Sequence, residues 1–231
     1  MQAAKFSIAT WARSAFAVFT KDWRSELRTR YAISALVMFV ITTISIILFS
    51  LGSEEAPAEV LSGMLWVVIF FGAMSGLSRT FVTEEERGTT LTLQMLAPPS
   101  AVYAGKLLFN LVLAAGLNLL TVLLYLMFVN GFVIRNAGIF VVTMVLGSIG
   151  FASAATIIAA IIARANTKGT LYPVLSFPIL LPLLLTVINA TRLAAEGAFF
   201  QEAIGEFQLL VSYIVVVTVV SFTLFDYIWK D

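Results

Sequence analysis

"MLWVVIFFGAMSGLSRTFVTEEERGT", residues 64–89, changes from an apolar run to a charged one within a few residues. The apolar part belongs to a run from Val60 to Ser78. Because a hydrocarbon core about 30 Å thick is crossed by roughly 20 apolar residues of helix, this run is long enough to span a bilayer. Strands of membrane β-barrels alternate polar and apolar residues, whereas this run is apolar on every side. It predicts a membrane-spanning helix that ends at a charged loop.

The rest of the chain repeats this pattern. Of its 231 residues, 60% are hydrophobic and 12% are charged, whereas an average soluble domain is about 25% charged. Five more apolar runs of similar length are Tyr31 to Leu51, Leu107 to Val129, Gly138 to Ala163, Leu171 to Ala190 and Leu209 to Trp229. The sequence therefore predicts an all-α integral membrane protein with six transmembrane helices in residues 31–231.

Residues 1–30 have a different pattern, in which apolar residues recur every four positions. The apolar series is Trp11, Ala15, Phe19, Trp23 and Leu27, and the opposite face carries Arg13, Lys21, Asp22, Arg24 and Arg28. This spacing predicts an amphipathic helix lying in the membrane interface. Two roles are open for it: a simple anchor, or an element that packs against the bundle.

The basic residues orient the predicted spans. Cytoplasmic loops carry an excess of Lys and Arg, and with a cytoplasmic N-terminus 12 of the 14 basic residues fall inside. These are Lys5, Arg13, Lys21, Arg24, Arg28, Arg30, Arg79, Arg87, Lys106, Arg164, Lys168 and Lys230, against Arg135 and Arg192 outside. Both termini and a loop at residues 79–106 are therefore predicted to be cytoplasmic. The outer loops carry Glu54, Glu55, Glu59, Glu196, Glu202 and Glu206.

Residues for catalysis are missing. The chain has no histidine and no cysteine, which removes the commonest metal ligand and the usual nucleophile pairs. "AGKL", residues 104–107, has the Gly-Lys pair of a phosphate loop, but Leu107 stands where Ser or Thr binds magnesium and Ser100 replaces the first glycine. We predict no catalytic residue, no metal site, no directly bound cofactor and no nucleic-acid partner. If ATP and magnesium drive this protein, a partner subunit must bind them.

Small residues in two spans predict close helix packing. The second span contains Gly72 and Gly76, and the fourth contains Gly147 and Gly150. Glycines at such spacing let helix backbones approach closely in membranes.

The fifth span contains Pro173, Pro178 and Pro182. Each proline removes a backbone donor and clashes with the preceding turn, which predicts a kinked or broken helix. Two interpretations are open: a hinge that moves and a static kink.

The charged part of the 79–106 loop predicts a first short helix. Thr83 and Glu86 have the spacing of a capping box, which would place Glu84 to Glu86 at the positive end of the helix dipole. Gly88 is expected to end this helix.

A second short helix is predicted in "LTLQML", residues 91–96, capped by Thr89 or Thr90. Leu93 and Leu96 would share one face. Pro98 and Pro99 would end the helix, and Ser100 could cap the next one. An apolar helix between rigid ends is suited to docking into a groove on a soluble partner.

The stretch "EEERGTTLTLQMLAPPSAVYAGK", residues 84–106, resembles the cytoplasmic loop of type-2 ABC-exporter permeases. In those proteins an acidic run, Gly-Thr, an apolar helix, a proline and a downstream Gly-Lys recur in this order. The six spans and the amphipathic first helix resemble that architecture too. Within this group, residues 64–89 and "YPVLSFPILLPLLL", residues 172–185, resemble the CcmB family of haem-exporter permeases.

This resemblance implies a non-catalytic membrane subunit in the bacterial inner membrane that works with a separate ATPase. The implied partners are a CcmA-like ATPase, CcmC-like and CcmD-like membrane subunits and a CcmE-like haem chaperone, and the chain would form a homodimer or pair with a related subunit. ATP hydrolysis would release the haem-loaded chaperone. The residues that the resemblance places at the ATPase interface are Glu84, Glu85, Glu86, Arg87, Gly88, Thr89, Leu93, Leu96, Pro98, Pro99 and Lys106.

Haem itself is expected to be handled by the wider complex, because the chain has no histidine and no lysine or arginine is expected inside the bundle to meet the propionates. Two alternatives are open. One is a type-2 ABC permease that exports a lipid, glycan or drug. The other is a membrane assembly factor without an ATPase, which predicts that the loop from Thr83 to Ser100 can be shortened without loss of function.

Overall fold

A computed structural model describes residues 8–52, 56–77, 79–163 and 171–230. It is about 90% helical, without a strand in these described ranges. Six helices are long and apolar enough to cross a membrane, which confirms the predicted all-α membrane fold. Among the residues singled out above, Lys5, Glu54, Glu55, Ser78, Arg164 and Lys168 lie outside the described ranges.

The helices follow one another with short connections. They are α1 (Ile8–Thr29), α2 (Tyr31–Leu51), α3 (Ala58–Leu77), α4 (Arg79–Glu86), α5 (Thr90–Leu96), α6 (Pro99–Phe128), α7 (Ala137–Ala163), α8 (Leu171–Glu196) and α9 (Ile204–Lys230), with a 3-10 turn at Phe200–Ala203 before α9. The third span is longer than predicted, because α6 begins at Pro99 rather than at Leu107. A proline at the first helical position has no N–H to leave unsatisfied and its φ already suits the helix.

The fifth span is a continuous helix despite its prolines. Pro178 and Pro182 lie inside α8, and Pro173 lies in its first turn, where a missing N–H is tolerated. Of the two predicted forms, a kinked or a broken helix, the structure contradicts only the broken one. Bending or hinge motion at these prolines stays a prediction.

The centre of the bundle is α7, which packs against α3, α4, α6, α8 and α9. Its glycines admit large side chains from other helices. A Cβ on Gly147 would lie 2.5 Å from the Trp66 ring, and one on Gly150 would lie 2.7 Å from Leu183. The Trp66 ring stacks on Phe151 with centroids 5.9 Å apart. Any larger residue at either glycine would have to displace a buried neighbour.

The glycines of α3 meet two other helices. A Cβ on Gly76 would lie 2.8 Å from Leu36 of α2, and one on Gly72 would lie 3.2 Å from Leu117 of α6. These are the close approaches that the predicted packing role requires.

Helix α1 packs along α6. Its residues Ala15 and Val18 are buried, and a Cβ on Gly105 of α6 would lie 2.5 Å from the Ala15 carbonyl oxygen. Of the two roles left open for this helix, packing against the bundle is the one that the structure shows. Its far side still exposes Phe16 and Leu27, as an interfacial helix requires.

Candidate functional site

The charged part of the loop between the second and third spans forms α4, which starts four residues earlier than predicted. Thr83 lies in the middle of α4, and its hydroxyl donates to the Arg79 carbonyl at 2.9 Å. The predicted capping box of Thr83 and Glu86 was therefore wrong. Glu84 to Glu86 lie in the last turn of α4 and not at its positive end. The cause is the preceding span, since α4 follows α3 so closely that no separate start at Thr83 is needed.

Lys106 is the centre of a buried charge network. It lies about two turns into α6 and is 1% exposed. Its Nζ donates to Glu84 Oε1 at 2.8 Å and to the Thr80 carbonyl at 2.9 Å, and it lies 2.9 Å from Asp22 Oδ2. Lys21 also pairs with Glu84. Because a buried charge is tolerated only when it is paired and hydrogen-bonded, this network fixes α1, α4 and α6 together.

This network corrects two expectations. Glu84 and Lys106 were placed at a partner interface, but only 6% of Glu84 and 1% of Lys106 are exposed, so both serve contacts inside this chain. No basic residue was expected inside the bundle, and Lys106 is one. The reason is that α6 begins at Pro99, which makes Lys106 a helical residue facing α4. Its ammonium is already occupied by carboxylates.

The turn after α4 is held by the acidic residues. Gly88 adopts φ of 65°, a conformation that glycine reaches at low cost, and α4 ends two residues before it. Thr89 precedes α5, but its hydroxyl donates to Glu84 Oε2 at 2.5 Å and does not cap the helix. Thr90 donates to Glu85 Oε2 at 2.9 Å. These threonines thus connect α5 to the carboxylates of α4.

Helix α5 exposes most of its apolar residues. None of its residues is buried, and Leu91, Met95 and Leu96 are 72%, 87% and 73% exposed. Leu93 is partly buried and packs against the core of the bundle. Leu93 therefore faces the bundle and Leu96 faces outward, although the sequence predicted that the two share one face. We name Leu91, Met95 and Leu96 the α5 face.

Leu91 and Met95 were not among the predicted interface residues, although both are exposed. Leu91 and Met95 are four residues apart and hence neighbours on the helix surface. The sequence shows two apolar pairs on this helix, Leu91 with Met95 and Leu93 with Leu96. Only the position of the bundle shows which of these residues face outward.

Helix α5 is anchored to the last helix and leads directly into α6. Gln94 Nε2 donates to the carbonyl of Trp229 in α9 at 2.6 Å. Pro98 and Pro99 follow the helix as predicted, and Pro99 opens α6. Ser100 does not cap α6 but lies inside it, where its hydroxyl accepts a hydrogen bond from Trp11 Nε1 at 3.0 Å.

A chain of hydrogen bonds continues from the charge network into the bundle. Beyond the bond from Lys106 to the Thr80 carbonyl, the Thr80 hydroxyl donates to Asn110 Oδ1 at 2.6 Å. Asn110 Nδ2 in turn donates to the hydroxyl of Thr156 in α7 at 2.9 Å. All four residues are buried. The loop is thereby linked through polar contacts to the central helix.

A cavity of about 710 Å³ lies between α1, α4, α5 and α6. Leu93, Leu96 and Phe109 line its apolar part, and Lys21, Glu84 and Lys106 line its charged part. Leu93 lines this space and also packs against the core of the bundle, so α5 contacts the spans on its inner side.

Six apolar helices long enough to cross a membrane are the features of a multi-pass membrane protein, and the loop between its second and third spans is fixed by a buried charge network. The family profile described as CcmB protein matches residues 13–226, and the chain belongs to the CcmB family. This family comprises non-catalytic membrane subunits of a haem exporter that serves cytochrome c maturation, in a complex that includes an ATPase. No curated protein matches the chain.

Proposed function

We propose that this chain transmits ATPase-driven motion within a haem-exporter complex, with α5 as the helix that docks into the ATPase subunit. The observation that carries the proposal is the α5 face, whose three apolar side chains are each more than two-thirds exposed. Exposed apolar patches rimmed by polar residues mark interaction sites, and a helix whose apolar side enters a groove is a recurrent docking mode.

The surroundings of the α5 face have the make-up of an interface. Glu86 and Arg87 are exposed beside it, and Glu85 is partly exposed. Interfaces commonly have an apolar centre and a polar rim. We therefore assign the energy of docking to Leu91, Met95 and Leu96, and the orientation of the partner to the acidic side chains of Glu85 and Glu86.

In this proposal the partner binds ATP and magnesium. The partner is a CcmA-like ATPase on the cytoplasmic side of the bacterial inner membrane. Both termini lie on that side, as the distribution of basic residues favours. CcmC-like and CcmD-like subunits and the CcmE-like chaperone meet other surfaces of the complex and handle haem there. The chain pairs with a second copy or with a related subunit.

Transmission follows the polar contacts of the loop. A displacement of α5 acts through Thr89 on Glu84, and Glu84 is bound to Lys106 of α6. From there the contacts reach α7 through Asn110. Coupling between distant sites is carried by such packed and hydrogen-bonded elements.

The test is a double substitution, Leu91→Asp with Met95→Asp, in the complete complex. We expect recovery of the ATPase with this chain to fall at least tenfold, because truncating an anchoring residue commonly costs about 2 kcal/mol or more of binding free energy. The measurement is quantitative co-purification in mild detergent, with membrane insertion of the chain checked in parallel.

Thr92→Asp is the matched control, because Thr92 is exposed on the same helix and its replacement adds an acid without removing an apolar side chain. We expect this variant to retain the ATPase. Undiminished recovery of the ATPase with the double variant would show that α5 is not the docking element. That result would mean that the ATPase binds this chain, or its complex, through another surface.

A further inference from the structure

An open groove of about 690 Å³ runs along α1 and reaches the turn between α4 and α5. Basic side chains dominate it, and no acidic residue is among those lining it. The lining residues are Ala17, Thr20, Lys21, Arg24, Ser25, Arg28 and Arg87. Lys21 is already paired with Glu84, so three arginines supply the unshared positive charge.

The three arginines come from two elements that the structure holds side by side. Arg24 and Arg28 are one turn apart on α1, and both are exposed. Neither has an ion-pair partner within the described part of the chain. Arg87 lies in the turn after α4, and its Nη1 donates to the Ser25 hydroxyl at 3.2 Å. The positive charge of the groove is therefore concentrated and not neutralised by the chain itself.

Exposed apolar residues on the neighbouring side of α1 indicate how deep the groove lies in the membrane. Phe16 is 62% exposed and Leu27 is 48% exposed, whereas Phe19 and Trp23 are partly buried against the bundle. An interfacial helix buries such an apolar side at the boundary between headgroups and acyl chains. Arg24 and Arg28, on the adjoining side of the helix, then lie at the level of the headgroups.

We propose that this groove binds the phosphate headgroup of an anionic phospholipid. Guanidinium groups suit this ligand because their planar donors match phosphate oxygens in pairs. The bound lipid bridges α1 and the turn that precedes α5, so it fixes the loop against the membrane surface. This proposal does not depend on ATPase docking. An acidic protein segment fits the charge but not the exposed apolar side chains of Phe16 and Leu27 on the same helix, which place this helix against lipid.

The experiment compares the purified full-length chain in nanodiscs of phosphatidylcholine alone and of phosphatidylcholine mixed with phosphatidylglycerol. Native mass spectrometry counts the phosphatidylglycerol molecules retained after transfer to detergent. We expect retention by the unmodified chain and at least a tenfold loss in Arg24→Gln with Arg28→Gln, because each basic residue near an anionic membrane surface contributes about fivefold in affinity. Neither residue belongs to the proposed ATPase interface.

The matched control is Arg13→Gln with Arg135→Gln, which removes the same charge from exposed positions outside the groove. Retention should remain as in the unmodified chain. Equal losses in both double variants would overturn the site, since they would show a general effect of charge. Arg28→Gln alone supplies a milder variant if the double variant unfolds, and undiminished retention by that folded single variant would count against the groove.

Two further results distinguish the lipid from other ligands. Inorganic phosphate at constant ionic strength should leave phosphatidylglycerol bound, and its displacement by phosphate would assign the groove to a free anion. ATPase recovery, measured on the same variants, should not change. A loss of the ATPase with full lipid retention would make the groove a protein contact and overturn the lipid proposal, while leaving the assignment of α5 intact.

Discussion

Residues 79–90 and residues 91–96 adjoin in the loop between the second and third spans, and they reverse the usual distribution of charge and apolarity. In the first part the carboxylate of Glu84 is buried and bound by Lys106. In the second part Leu91 and Met95 are left exposed. Charged residues are ordinarily exposed and large apolar ones buried. The reversal teaches that Glu84 is an internal anchor and that the exposed apolar part is free for the docking that we propose.

The largest effect is expected from Lys106→Met, which removes the cation from the anchor. Breaking a buried ion pair by deleting one partner costs about 3–5 kcal/mol, because the remaining charges stay buried without compensation. We expect a lower thermal unfolding midpoint in detergent, measured by intrinsic fluorescence. Lys21→Met is the control, since the Lys21 side chain is 45% exposed. Equal shifts in the two variants would mean that burial of Lys106 contributes nothing.

The next effect tests the close packing of α1 against α6 beside the charge network. Gly105→Ala places a Cβ 2.5 Å from a backbone oxygen of α1, which cannot move aside as a side-chain end can. Overpacking of this kind costs about 1–3 kcal/mol, and we expect faster hydrogen exchange in α1. Gly116→Ala in the same helix has no atom within 4 Å of the new Cβ. Exchange in α1 should be unchanged in that control, and a similar rise in both would contradict the close packing.

A smaller effect is expected where the two parts of the loop meet. Thr89→Val removes the hydroxyl that donates to Glu84 Oε2. Because Thr89 is itself exposed, we expect a loss near the typical net contribution of one hydrogen bond, about 0.5–1.5 kcal/mol. We expect hydrogen exchange to rise in α5 while the spans keep their protection. Thr92→Val, at an exposed position, should leave α5 as it is. Loss of protection throughout the bundle would instead make Thr89 part of the global core.

The smallest effect on stability is expected in the exposed part. Leu91→Ser with Met95→Ser should change the unfolding free energy by no more than about 0.5 kcal/mol, as is usual for surface substitutions. ATPase recovery should nevertheless fall, which separates docking from folding. Unfolding midpoints of the isolated chain provide the measurement. A drop as large as that of Lys106→Met would show that the α5 face packs within this chain.

Local chemistry explains which parts of the loop were predictable. The break after α4 follows from Gly88, and the end of α5 follows from Pro98 and Pro99, because these residues act on the backbone where they stand. The capping box at Thr83 was wrong because a short motif does not show whether a helix has already begun. The start at Arg79 depends on the span before it.

The partners of Lys106 could not be predicted for a different reason. Asp22, Glu84 and Lys106 are far apart in the chain, and their contacts arise only where α1 and α4 pack on α6. The exposure of individual α5 residues could not be predicted for the same reason. Periodicity shows that Leu93 cannot share the side of Leu91, but the side that faces the bundle is set by the anchors of α5.

The sequence by itself determined the class of fold, since six runs of apolar residues of sufficient length have no stable place except in a membrane. It also determined that the chain lacks histidine and cysteine, and where the loop must turn. Tertiary structure alone decided which charges are buried and which apolar residues remain exposed. Burial depends on what packs against a side chain, and for this loop the packing elements lie in distant parts of the chain.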